Sequence, residues 1–402
     1  MLPPQKTDVG DGPVPGDGTP LQSSVEVIFG VTQPRQGLAW LTAVGTSLAL
    51  VASCSERTDR PASEASVGPG TDGAVDLAGD GSGPGADGRL RLDAPVASDA
   101  TAQPDVEPGT GVLPEGNNGI AARYPGDVNI ASDPQVIFAD DFESYANASG
   151  LSGNWDAVYH SEQIRIATEA ANVHRGSKAL EFTVPQQSAE LSNTAAKVLG
   201  TERDILFLRY HSKFSSGFDV IGSSHNGGGI SAHYYINGQA TPGVPANGTN
   251  KFLANFENWR GEATTANPGE LNIYIYHPDQ RSQWGDHFFP SGTVLPNSSQ
   301  PFDFGPTFVA RPEIVPELGR WYGYEFMVKA NTPGQRDGRI ACWLDGALIA
   351  DFPNLRLRDV DTLKIDRFAI SLHIGSNTAA EAKKWYDNVV AATSYIGPVV
   401  EN

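Results

Sequence analysis

"WYGYEFMVKANTPGQRDGRIACWLDGALIADF", residues 321–352, holds three runs in which large apolar residues alternate with small or polar ones. A period of two marks strands with one buried face, because successive side chains point to opposite sides. The runs are separated by Asp337-Gly338 and Asp345-Gly346. Asp-Gly accepts the positive φ angles of a tight hairpin, so the stretch predicts a three-stranded antiparallel meander.

Outward from the meander, similar runs fall at 135–142, 179–184, 205–214, 230–236, 251–259, 271–277, 363–374 and 384–391. No helical periodicity persists for more than three turns. Some eleven to thirteen strands joined by turn residues predict an all-β fold, an antiparallel double-sheet β-sandwich. The connection 278–319 is long for a compact domain and carries Trp284, His287, Phe288, Phe289 and Phe304, so it is expected to lie over an open face.

Composition divides the chain near residue 130. Before it, runs such as "SVGPGTDGAVDLAGDGSGPGADG" are too poor in apolar residues to offset the entropy of ordering. Residues 55–130 are therefore expected to be a disordered tether and 131–402 the folded domain. All eight histidines lie in the domain, which from Ala131 onward has 21 Lys and Arg against 30 Asp and Glu. That balance argues against a nucleic-acid partner, which needs a basic face.

Cys54 closes "GLAWLTAVGTSLALVASC", an apolar run of export-signal length preceded by Arg35. Its last four residues resemble a bacterial lipobox, which implies acylation at Cys54, a signal over 31–54, and an outer-membrane or cell-surface location with Ser55 following. A signal cut elsewhere and a short membrane anchor are the alternatives. Residues 1–30 are proline-rich and unlike a signal's start, so they are read as an upstream extension or a mis-assigned start, with Val31 as the internal alternative. Membrane contact is expected through the lipid only, and the domain is expected to be a monomer. Cys342, left without a partner, is expected to be a buried thiol.

Chemistry is most concentrated in "GELNIYIYHPDQ", residues 269–280. Ile273 and Ile275 on one face place Asn272, Tyr274 and Tyr276 on the other, where a tyrosine offers a flat surface for a sugar and a proton to give or take. A cross-strand aromatic ladder is the structural alternative. "FLRYHSKF" puts Arg209, His211 and Lys213 on one side, either a positive stripe or a solvated edge. "ISAHYYING" aligns His233 with Tyr235, and "KFLANFENWRG" aligns Asn255, Glu257 and Trp259. Alternation alone does not decide which of these faces is open.

Taken in order, "LRYHSKFSSGFDVIG", "SSHNGGG", "ENWRG", "GELNIYIYHPDQ", the meander and "DRFAISLHIG" resemble the jelly-roll polysaccharide lyases of family fourteen and their alginate and glucuronan lyase relatives, over roughly 206–375. The resemblance implies a concanavalin A-like jelly roll that cleaves uronic-acid polymers by β-elimination. It implies Tyr274 and Tyr276 as the acid/base element and rests in part on the Trp259-Arg260 pair, while the strand faces read above add Arg209, Lys213, His233, Tyr235, Asn255 and Glu257 as substrate-contact candidates with Trp259 and Arg260, and His211 as a further catalytic candidate. Where the family has a loop with a catalytic lysine, this chain has "GSSHNGGG", so His225 or Asn226 stands in its place. Where the family presents serine and arginine before the Trp-Arg pair, it reads "LANFEN".

No cofactor is required for this chemistry. The chain ends "FADDFES" and "KKWYDNVVAATSYIGP" suggest a structural Ca²⁺ held by Asp141, Glu143 and Asp387, with acidic strand ends lacking an ion as the alternative. A non-catalytic carbohydrate-binding or adhesion module using Tyr274, Tyr276 and Trp259 is the second functional expectation. A glycoside hydrolase is the third, for which Glu257 and Glu325 are the carboxylates on offer.

Overall fold

The computed structural model describes residues 111–401 except 223 and 376–379. Cys54, the export signal and most of the tether lie outside the described residues. Among the described residues no helix is long and apolar enough to cross a membrane.

Two antiparallel sheets form a β-sandwich of the jelly-roll type. The first runs in the order Ala347–Leu355, Gly338–Leu344, Tyr322–Lys329, Ile205–Phe214, Ala382–Ala392, Ala179–Val184 and Ile164–Ala167, with Val136–Asp140 also paired to Ala382–Ala392. The second runs Val294–Leu295, Asp286–Phe288, Glu270–Tyr276, Phe252–Trp259, Gly228–Ala232, Ile365–Ile374, Leu191–Arg203 and Ala157–Tyr159, with Ser224–His225 added beside Ile365–Ile374. The core lies between them. Phe256, Ile273, Ile275, Phe368, Ile370 and Leu372 of the second sheet meet Leu208, Tyr210, Tyr324 and Phe326 of the first.

The meander forms as its alternation requires. Its second connection is the tight Asp345-Gly346 turn, with φ of 49° and 82°. Its first is a longer loop: strand pairing stops at Lys329 and resumes at Gly338, and the positive φ falls on Gly334. Cys342 is buried in the core as a free thiol. The 13-residue strand Leu191–Arg203 escapes the sequence pattern because its inward positions include Asn193 and Ala195 rather than a run of large apolar side chains. The 278–319 connection adds two short strands to one edge of the second sheet.

A second apolar layer covers the outer face of the first sheet. Phe207, Met327, Trp343 and Val390 pack there against Leu113, Ile120, Ile130, Tyr395 and Ile396. Trp343 Nε1 donates to the Pro114 carbonyl at 2.8 Å, and the Ala121 amide to that of Ile396 at 2.8 Å. The domain boundary expected at 131 is thereby corrected: the residues from 113 to 130 belong to the folded part, because the sheet they cover is apolar on both faces.

Polar atoms also cross the core, and they fix the backbone under one spot on the second sheet. Tyr210 donates to the Phe256 carbonyl at 3.0 Å and accepts from the Gly228 amide at 2.9 Å. Tyr386 donates to the Ser371 carbonyl at 2.6 Å, and the buried Lys384 ammonium donates to the Asn226 carbonyl. Backbone groups interrupted by the break between Ser224–His225 and Gly228–Ala232 are satisfied this way, as buried amides and carbonyls must be.

Candidate functional site

With the first sheet covered, the second sheet supplies the open face. Along Ile365–Ile374, Phe368, Ile370, Leu372 and Ile374 are buried, while Arg367, Ala369, Ser371 and His373 are half-exposed on the outer side. Pairing aligns Ala369 with Gly229, Asn255, Tyr274 and His287 in one row across the sheet. Glycine at 229 is a packing requirement, since a Cβ there would stand 2.3 Å from Asn255 Oδ1. At Gly227 a Cβ would meet the Phe256 carbonyl oxygen at 1.9 Å. The "HNGGG" run is thus a broken strand pressed against its neighbour, and His225 stands on it opposite His373.

Three of the candidate residues converge on this face. His225, with 30% of its side chain exposed, places Nδ1 3.1 Å from both carboxylate oxygens of buried Glu257. An ionised carboxylate only accepts, so this contact puts a proton on Nδ1. The His225 ring lies 4.6 Å from that of Tyr274 and stacks at 5.3 Å on His373. Burial pushes the Glu257 carboxyl up, opposed by the His225 charge and hydrogen bond. Burial also holds the Tyr274 phenol well above the ordinary tyrosine range, which keeps it a proton donor. Its oxygen accepts from the Gly285 amide at 3.0 Å, in a turn anchored by the buried His277–Asp286 pair at 3.1 Å.

Further residues complete the surround. Asn255 lies two residues from Glu257 on the same face and is half-exposed, and Trp259 is half-exposed with its ring 5.0 Å from His287. His287 Nδ1 donates to Asn272 Oδ1 at 2.9 Å. Burial, with the His225 charge nearby, pushes both His287 and His373 down to about 3. His287 is unprotonated in the folded state where the unfolded chain, with an ordinary value near 6.5, already binds a proton. Its contribution to stability is therefore lost as pH falls from about 6.5 toward 3, at up to ~1.4 kcal/mol per pH unit. His287→Gln keeps a donor to Asn272 and removes the titration, so urea midpoints between pH 7 and 5 should fall less steeply than in the parent. An unchanged slope would show that the imidazole is not held neutral.

The other candidates lie elsewhere. Tyr276 is 1% exposed beneath the 234–246 segment, its hydroxyl accepting from the Gly243 amide at 3.1 Å and its ring 4.5 Å under the Lys251 ammonium. It supports Tyr274 and does not reach a ligand. Arg209, His211 and Lys213 face the covered side of the first sheet: Arg209 pairs with Asp127, His211 stacks on His174 at 4.0 Å, and Lys213 donates to Asn172 at 3.0 Å. The positive stripe is thus internal. Arg260 binds Asp219 and the Thr265 and Ala263 carbonyls, closing its own loop. His233 pairs with Glu202 at 2.9 Å away from the cluster, and Tyr235 stacks under Arg367 at 4.2 Å.

Glu325 binds the Ile396 and Gly397 amides on the far face of the first sheet, so it does not oppose Glu257, and the paired carboxylates of a hydrolase are not formed by these two. The expected Ca²⁺ ligands do not converge. Asp141 caps the Glu143 amide, Glu143 accepts from Ser177 and Lys178, and Asp387 accepts from His174 and Arg175. Among the described residues no group of three or more His, Cys, Asp or Glu is arranged to hold a metal ion.

His373, His287, Asn272 and Arg367 were not among the sequence candidates for the site. Alternation in "DRFAISLHIG" put Arg367 and His373 on one face, but nothing local marked that face as open.

No protein-family model matches the chain, and no curated protein does. Among solved structures the chain is similar to alginate lyase Aly36B (19% identity, 64% of this chain and 97% of that one, TM-score 0.47). It is also similar to an endo-β-1,4-glucuronan lyase from the fungus Trichoderma reesei (17%, 64% and 96%, TM-score 0.42). A third is the marine PL-14 alginate lyase from Aplysia kurodai (15%, 64% and 99%, TM-score 0.44). At these identities the likeness is one of overall fold.

Proposed function

We propose that this protein is a polysaccharide lyase that takes an acidic polysaccharide across the open face of the second sheet and cleaves it by β-elimination. The observation that carries this reading is the half-exposed His225 imidazole held between the buried Glu257 carboxylate and the ring of the buried Tyr274. His225 Nε2 takes the C5 proton of a uronate, Glu257 stabilises the imidazolium that forms, and Tyr274 protonates the glycosidic oxygen as the C4–O bond breaks and the C4–C5 double bond forms. Asn255 and Trp259 provide polar and flat contacts beside them.

Incubation of the full chain with alginate, glucuronan and a neutral polymer, followed by ultraviolet absorbance of the unsaturated uronate, tests the reading. Tyr274→Phe should lower product formation ~10²–10⁴-fold while oligosaccharide affinity is kept. Affinity with no product from the parent protein on any acidic polymer would instead make this a binding module.

A further inference from the structure

Resting on that reading, we propose that the segment 234–246 is a fixed wall across one end of the groove, so that the protein takes its polysaccharide by a chain end and releases short products. The outer face of the second sheet changes from half-exposed to buried within one step along its strands. Ala369, Gly229 and Asn255, aligned in one row, are half-exposed. In the next row on the same face Ser231, Leu253 and Tyr276 are all buried.

The cause is a segment that leaves the sheet and folds back over it. After Gly228–Ala232 the chain forms a hairpin of its own, Tyr235–Ile236 against Gln239–Ala240, as a separate two-stranded ribbon. Asn237 and Gly238, at φ of 51° and 79°, make its tight turn. Tyr234, Tyr235, Ala240 and Ala246 pack on Leu253 and Tyr276.

Its fastenings cross the sheet. Tyr159, on the edge strand Ala157–Tyr159, donates to the Gly238 carbonyl at 2.9 Å. Midway, the Lys251 ammonium donates to Thr241 Oγ1 at 2.8 Å and lies 4.6 Å and 4.5 Å from the Tyr234 and Tyr276 ring centres. Past Glu270–Tyr276, the Gln280 carboxamide accepts from the Ala246 amide at 3.0 Å. A ribbon held at these separated points, with apolar contacts beneath it, is a wall and not a loose loop.

The reacting groups stand close to this wall. Tyr274 is aligned with Asn255 in the last row before it, and its ring lies 5.7 Å from that of Tyr276 and 4.6 Å from that of His225. Successive rows on one face are about 7 Å apart, so little more than one sugar ring fits between the His225 imidazole and the wall. On the other side of His225, Ser371, His373 and Ser192 are half-exposed and leave the chain a way out.

Early products of the parent protein test the wall. At low conversion of alginate and glucuronan, unsaturated mono- and disaccharides should dominate, and viscosity should fall slowly relative to ultraviolet absorbance. A spread of long oligomers with an immediate drop in viscosity would overturn the wall and leave the lyase reading standing. Calorimetry reads the same feature without cleavage: hexamers of these polymers carrying a bulky group at one end or at the other should differ ~10-fold or more in affinity, because only one end meets the wall. Equal affinities would also overturn it. End-selective binding with no unsaturated product from any acidic polymer fails the lyase reading alone, and no binding of any hexamer fails both. Replacing residues 235–240 by two glycines should bring the two blocked hexamers to parity and lengthen the early products. A folded variant with the parent's products and end selectivity would count against the wall.

Discussion

His225→Ala should lower the rate of unsaturated-product formation by ~10²–10⁴-fold, the usual contribution of a positioned general base. The urea midpoint should fall as well, because the buried Glu257 carboxylate loses the partner that holds it, so rates are compared well below the variant's unfolding range. Glu257→Gln should cost nearly as much for a different reason. A carboxamide can turn its NH₂ toward Nδ1, which moves the ring proton to Nε2 and leaves no base facing the substrate. Parent-like rates in His225→Ala would remove the imidazole from the mechanism, and parent-like rates in Glu257→Gln would reduce the carboxylate to a structural contact.

Asp127→Ala should destabilise the domain by ~3–5 kcal/mol in urea or thermal unfolding. The Arg209 guanidinium is 1% exposed, pairs with Asp127, and otherwise reaches the Gly397 carbonyl at 3.0 Å. Removing the carboxylate leaves the buried cation facing only Glu325 across the strand pair, whose oxygens already accept from the Ile396 and Gly397 amides, and the loss is a large fraction of the stability of a typical domain. The double variant Arg209→Met/Asp127→Leu should recover much of the loss, because apolar pairs often replace buried ion pairs without penalty. A small effect of Asp127→Ala would mean that residues 125–127 open readily to water and that the covering layer is loosely held.

"GSSHNGGG" and "LANFEN" are unrelated stretches along the chain. In three dimensions they meet, since His225 and Glu257 contact each other at 3.1 Å. Their separation of 32 residues, and a pairing through the intervening strand Gly228–Ala232, placed that contact beyond any local pattern. The tyrosines show the same limit. Tyr274 and Tyr276 share a face as alternation requires, and both are buried, Tyr276 at 1% beneath the 234–246 segment and Tyr274 at 7% between that cluster and the half-exposed His225 ring. The stripe Arg209, His211 and Lys213 was legible as one face of a strand, and its chemistry was not.

By itself the sequence determined that strands form, where most of them lie, and which residues share a face, because a strand's period of two is a property of the local backbone. It also determined the Asp345-Gly346 turn, which depends on φ preferences of two adjacent residues. Only the tertiary structure decided which faces meet solvent, because that is set by segments distant in sequence, residues 113–130 and 395–397 over the first sheet and 234–246 over Tyr276. Burial, and with it the protonation and reach of each polar group, follows from those long-range contacts and not from the alternation that precedes them.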